Sequence, residues 1–193
     1  MKVFILLCLV TAILCQQYPL YSQCAPQWGS NYLGTSSQTI CQSGCLMSSA
    51  AMALAGNGIS YNPGTLNTWL TNNGGYSSGN LFVWSSLSSL GLNFQGFFSN
   101  SQIASQLSAG NAVICNVNGG GHWVLATSIS GSTVYVNDPG YSANSYSLSQ
   151  IVEGNNGVFS PSSVSMEAAM NNIQKEDIVQ NKMALLQEKV EVQ

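Results

Sequence analysis

The run CLMSSAAMALA, residues 45–55, constrains the fold more than any other part of the chain. It consists of small residues and good helix formers, follows Gly44 and stops at Gly56-Asn57-Gly58, which predicts a helix beginning at Cys45. Apolar side chains fall on nearly every face of that helix. It has no side to offer water and is expected at the centre of a domain, covered all round.

The cover is legible downstream. NPGTLNTWL (62–70) predicts a short helix with Pro63 in its first turn and Leu66, Trp69 and Leu70 on one face. LFVWSSLSSLGL (81–92) and SQIASQLSAG (101–110) predict two more, the last ending at Gly110. The character then changes. AVICNV (112–117), HWVLATSI (122–129) and TVYVN (133–137) are rich in β-branched and aromatic residues, divided by glycines, and predict strands. Gly131-Ser132 predicts a hairpin between the last two. Helices followed by an antiparallel sheet make an α+β domain. Upstream, residues 16–44 are turn-rich and polar, and Tyr18, Tyr21, Trp28 and Tyr32 are expected to pin them to the body.

The two ends differ from this body. Residues 1–15 carry a short positive start and an apolar run too short to span a bilayer, and they read as a secretory signal peptide cleaved after Cys15. Leu14 stands where a lipoprotein signal needs a small residue. The mature chain is therefore expected to be secreted, extracellular or vesicular, without stable membrane insertion. Residues 16–163 form the expected domain, and 164–193 a charged helical extension without Gly or Pro, with Val179, Met183, Leu186 and Val190 in one stripe. Such a stripe suits a docked or self-associating helix, or a removable pro-segment.

Charge is nearly absent from the body. Lys2 is the only basic residue before Lys175, and the chain has no arginine. From Gln16 to Gln150 the only carboxylate is Asp138, and the only imidazole in the protein is His122. A chain without a basic patch is a poor partner for nucleic acid or anionic lipid. One His, one Asp and scattered thiols make no metal-ligand spacing, and no cofactor motif is visible.

Beyond the signal segment the cysteines are Cys24, Cys41, Cys45 and Cys115. Two disulfides with three possible pairings fit an oxidising compartment, as does one disulfide with one reactive and one buried thiol. Cys41 and Cys45 sit where a loop enters a helix, so the pairing expected is Cys24–Cys41. Cys115 lies within a strand, where a thiol behaves as a small hydrophobe.

Cysteine catalysis needs a thiolate, a base to form it and a group to orient that base. Cys45 at a helix start meets the positive end of the macrodipole. His122 opens a strand after Gly119, Gly120 and Gly121, and Asp138 ends the partner strand at an NDPG turn. A hairpin over 122–137 would bring the two together. Singly, each has an ordinary structural role: a core cysteine, a strand histidine, a turn aspartate. Together they stand out because the domain has shed almost every other charge.

The segments YSQCAPQW, TICQSGCLMSSAAMAL, YNPGTLNTWL, GHWVLAT and VYVNDPGY, in that order over roughly residues 18–150, resemble the secreted C39-like peptidase family of the papain-like superfamily. That resemblance implies a papain-like fold and a Cys45–His122–Asp138 triad cleaving peptides or peptide-like amides through an acyl-enzyme. Papain-like enzymes usually carry an oxyanion-binding glutamine six residues before the nucleophile. Here that position is Thr39, which makes Gln38 and Gln42 the oxyanion candidates. The alternative reading is a weakly active or inactive secreted binding or matrix protein on a peptidase scaffold.

Overall fold

The computed structural model describes residues 17–162. The expected signal peptide and the charged extension therefore lie outside the described residues. The chain opens in turns and enters α1 (Ile40–Ser43), then α2 (Cys45–Gly56) and α3 (Pro63–Asn72). A two-stranded hairpin follows, β1 (Tyr76–Ser77) with β2 (Leu81–Phe82). After a 3-10 helix at Trp84–Leu90 come β3 (Leu92–Phe98), α4 (Ile103–Ser108), β4 (Ala112–Val117), β5 (His122–Ser130) and β6 (Thr133–Asn137). β7 (Ser145–Ser147) and β8 (Ile151–Pro161) complete an antiparallel sheet in the order β3-β8-β4-β5-β6-β7.

The helix predicted at Cys45 is there and central. Met47 to Leu54 are all buried, and α2 lies against β5 and β4. Its core includes Leu66 and Leu70 of α3, Ile114 of β4, Leu125 of β5 and Phe159 of β8. The opposite face of the sheet packs Val113, Cys115, Val117 and Val124 against Ile103 of α4. Burial on both faces explains why AVICNV is apolar without alternation: all six residues are inside.

Two expectations need correction. The helix predicted over 81–92 divides into β2, the 3-10 turn and the start of β3. Gly91, at φ 97°, takes the left-handed conformation that ends the turn. Tyr32 is 66 % exposed and does not pin its segment, whereas Tyr18, Tyr21 and Trp28 pack on the core. β8, unforeseen, runs through Gly154-Asn155-Asn156-Gly157 in the middle of the sheet. A Cβ on Gly157 would overlap the Trp84 ring, which stacks on Phe159 at 5.7 Å. The glycine that resembles a loop signal is thus the seat of an aromatic cluster. Among the described residues no helix is long and apolar enough to cross a membrane.

Candidate active site

Gly44 sets the position of Cys45. Thr39 caps α1 through a capping box with Gln42, and the Gly44 N–H donates to the Ile40 carbonyl at 2.7 Å. A Cβ at Gly44 would lie 2.5 Å from that same oxygen, so only glycine fits the joint between α1 and α2. The first bond of the new helix runs from the Ser48 N–H to the Gly44 carbonyl. The amides of Cys45, Leu46 and Met47 therefore belong to the helix start, where no acceptor is available within the helix. α2 is held to the sheet partly by the Ser49 hydroxyl, which donates to the Trp123 carbonyl at 3.3 Å. This contact places the helix start beside the residue before Trp123, which is His122.

His122 opens β5 opposite Val117 of β4. The connection between them turns through Asn118, Gly119 and Gly120, all at positive φ. Asp138 follows β6, whose last residue, Asn137, pairs with Leu125. The carboxylate reaches back along β5, and Asp138 Oδ1 meets His122 Nε2 at 2.6 Å. Both residues are buried. Cys45 lines the same cleft as His122, and its proximity helps to raise the pKa of the imidazole. All three residues that the sequence singled out thus come together, with the imidazole in the middle.

Asp138 is firmly held. Oδ1 also accepts from the Gly140 and Tyr141 amides, each at 2.9 Å, and Oδ2 accepts from the Tyr146 hydroxyl at 2.7 Å. Burial alone would raise its pKa, but these donors and the imidazole bring it below the usual carboxylate range. For His122 burial acts to lower the pKa, and it is outweighed by the hydrogen bonds with Asp138 and Cys45 and by their charges. The result is a rise to about 9. Tyr141 lies edge-on to the imidazole, ring centroids 4.9 Å apart.

A disulfide joins Cys24 and Cys41. Cys115 is free and buried, and burial pushes its thiol up to about 12, well away from reactivity.

The oxyanion candidates fare differently. Gln38 and Gln42 both line the cleft beside Cys45. The Gln42 side-chain oxygen, however, accepts from the Thr39 amide, and that of Gln38 accepts from Asn80. Sequence reasoning missed a third glutamine, Gln23, which also lines the cleft and is buried. Its amide donates to the Pro139 carbonyl at 2.8 Å, and its Nε2 donates to the Cys41 carbonyl at 2.7 Å. Its Oε1 is buried without a partner. A Cβ on Gly140 would stand 2.8 Å from His122 Cε1 and 3.3 Å from Gln23 Oε1, so the glutamine adjoins the imidazole. The only signal in the sequence was the YSQC segment itself, twenty-odd residues before the nucleophile. Tyr146 was missed for a similar reason, since only the pairing of β6 with β7 brings it to Asp138. Among the described residues no three His, Cys, Asp or Glu side chains form a metal-ligand set.

A buried helix headed by cysteine, followed by an antiparallel sheet that presents a His–Asp pair to it, is the layout of the papain-like cysteine peptidases. The chain belongs to the Peptidase_C39 like family, which it matches over residues 15–155. Among solved structures it is similar to a double glycine motif protease from an AMS/PCAT transporter, crystallised in complex with the leader peptide. The two share 17 % identity at a TM-score of 0.51, over 76 % of this chain and 94 % of that one. A protein from Bacillus anthracis assigned as a C39-like peptidase aligns at 15 % identity and a TM-score of 0.48, over 75 % and 95 %. No curated protein matches the sequence.

Proposed function

We propose that the protein is a cysteine peptidase that cleaves amide bonds through an acyl-enzyme, with Cys45 as nucleophile, His122 as base and Asp138 as its orienting partner. The observation that carries this reading is a single imidazole bonded to the Asp138 carboxylate and lining one cleft with the Cys45 thiol. With Nε2 donating to Asp138, the other ring nitrogen is free to take the thiol proton. The sulfur then attacks the scissile carbonyl. The Cys45 amide and the second N–H of the Gln23 carboxamide are the donors for the oxyanion. His122 returns the proton to the departing amine, leaving a thioester. A water attacks the thioester, giving its proton to His122, and expels the thiol with release of the carboxylic acid.

The peptide bound to the double glycine protease supports a peptide as substrate. The Cys24–Cys41 disulfide fits the secreted location expected from residues 1–15. Alkylation by iodoacetamide across pH, read by mass spectrometry, tests the mechanism. Cys45 should be alkylated rapidly, lose that reactivity in His122→Ala, and hydrolysis should be lost in Cys45→Ala. Full activity in Cys45→Ala would refute the mechanism. Cys45 inert to alkylation would favour a binding protein on the same scaffold.

A further inference from the structure

The cleft at Cys45 encloses about 570 Å³, a volume suited to a few residues of peptide. Its walls differ from those of a typical peptide site in one respect. Among residues 17–162 there is no lysine or arginine, and the two carboxylates, Asp138 and Glu153, are unavailable to a ligand there. Asp138 is enclosed by four donors, and Glu153 lies outside the cleft lining and accepts from the Asn100 amide. Among the described residues, everything that lines the cleft apart from the catalytic groups is neutral.

The neutral lining has two parts. Leu46 and Met47 come from the first turn of α2, and Leu81 and Phe82 from the β1–β2 hairpin. Leu81 is 60 % exposed, at the mouth. The hairpin is anchored: the Asn80 side chain donates to Gln38 Oε1 at 2.9 Å, and the Val83 amide donates to the Gly75 carbonyl at 2.9 Å. Phe82 packs edge-on to both Tyr76 and Trp84. An ionised side chain entering between Leu46 and Leu81 would lose hydration and meet no opposite charge. An apolar one would exchange water for contact on two sides. The carboxamides of Gln38, Gln42 and Asn80 offer hydrogen bonds to a peptide backbone without regard to side-chain charge.

We propose that the cleft selects neutral peptides, seating an apolar side chain next to the scissile bond between Leu46 and the Leu81–Phe82 edge of the hairpin, and excludes peptides with ionised side chains there. The proposal rests on the cysteine-peptidase reading above. Substrates crowded with free carboxylates are excluded with particular force, since the domain has no basic side chain to receive them.

The test uses the full-length protein and a set of tripeptidyl acyloxymethyl ketones. In this set each of the two residues nearest the ketone is in turn Leu, Gln, Lys or Asp. The second-order rate of Cys45 modification is expected to be highest for Leu at one of the positions. Lys and Asp there should both be slower by about tenfold or more. Leu81→Asp, at an exposed site where folding is not at stake, should reverse the order of Leu and Lys. Equal rates for Leu, Lys and Asp, or an unchanged Leu-to-Lys ratio in Leu81→Asp, would overturn the selectivity and leave the peptidase reading standing. Failure of every ketone and of iodoacetamide to modify Cys45 would overturn both.

Discussion

Replacing Asp138 by Asn isolates the carboxylate's hold on His122. The side chains have the same shape, and an amide oxygen at Oδ1 can still accept from the Gly140 and Tyr141 amides. The Tyr146 oxygen can accept from the new NH2 group. What is lost is the charge. His122 stands at about 9 against an ordinary 6.5, a preference of about 3 kcal/mol for the imidazolium. Burial opposes that preference and only Cys45 remains to favour it, so without Asp138 the imidazole should titrate well below 9, toward its ordinary value. At pH 7 the protonated fraction of the ring would fall from nearly all to as little as about a quarter, and Cys45 alkylation at that pH should slow by up to about fourfold. The assay is unusually direct because the protein contains one histidine, so its ring resonances in an NMR titration need no assignment. A midpoint in Asp138→Asn within half a unit of wild type, with the fold intact by circular dichroism, would refute the electrostatic account of the pair.

Gln23→Ala should lower kcat about 100- to 1,000-fold, while alkylation of Cys45, which builds no oxyanion, falls far less; comparable losses in both would argue against an oxyanion role. Tyr146→Phe removes a hydrogen bond to a charged oxygen, about 1.5–3 kcal/mol, and should raise the Asp138 pKa toward the usual carboxylate range, so that activity is lost at a higher pH on the acid side of the kcat/KM profile. Gly140→Ala pushes a methyl group against His122 and Gln23 together, and kcat/KM should drop at least tenfold with little change in melting temperature. Thermal stability should be greatest below pH 6.5 and decline as pH rises through about 9, because the raised pKa of His122 stabilises the folded state only while the ring is protonated. A flat profile over that range would contradict the shift.

The parts of the fold written locally were legible. The Cys45 helix declared itself by an unbroken apolar surface, α3 by Pro63 at its start, and β4 to β6 by β-branched runs between glycines. β3 and β8 were not, because their apolar faces are interrupted by residues that only tertiary packing explains. Gly157 yields to Trp84, and Asn156 is buried with its side chain bonded to the Phe98 carbonyl and Asn100. The same division runs through the site. Cys45, His122 and Asp138 were singled out by chemistry, since scarcity of charge made the last two conspicuous. Gln23 and Tyr146 are common, neutral residues whose meaning depends on contacts across 18 and 8 positions.

The disulfide has a bearing on how such a protein can be handled. Cys24, Cys41 and Cys45 all border one cleft, two of them joined and the third a free thiol on which the proposed mechanism depends. Gln23 adjoins one half of the bridge in sequence and hydrogen-bonds the backbone of the other. Reductant is thus both reagent and poison. Too little leaves the nucleophile open to oxidation, and too much unties the strut that holds the glutamine. On the proposed mechanism the protein should therefore have a working range of redox potential, bounded on both sides by sulfur chemistry.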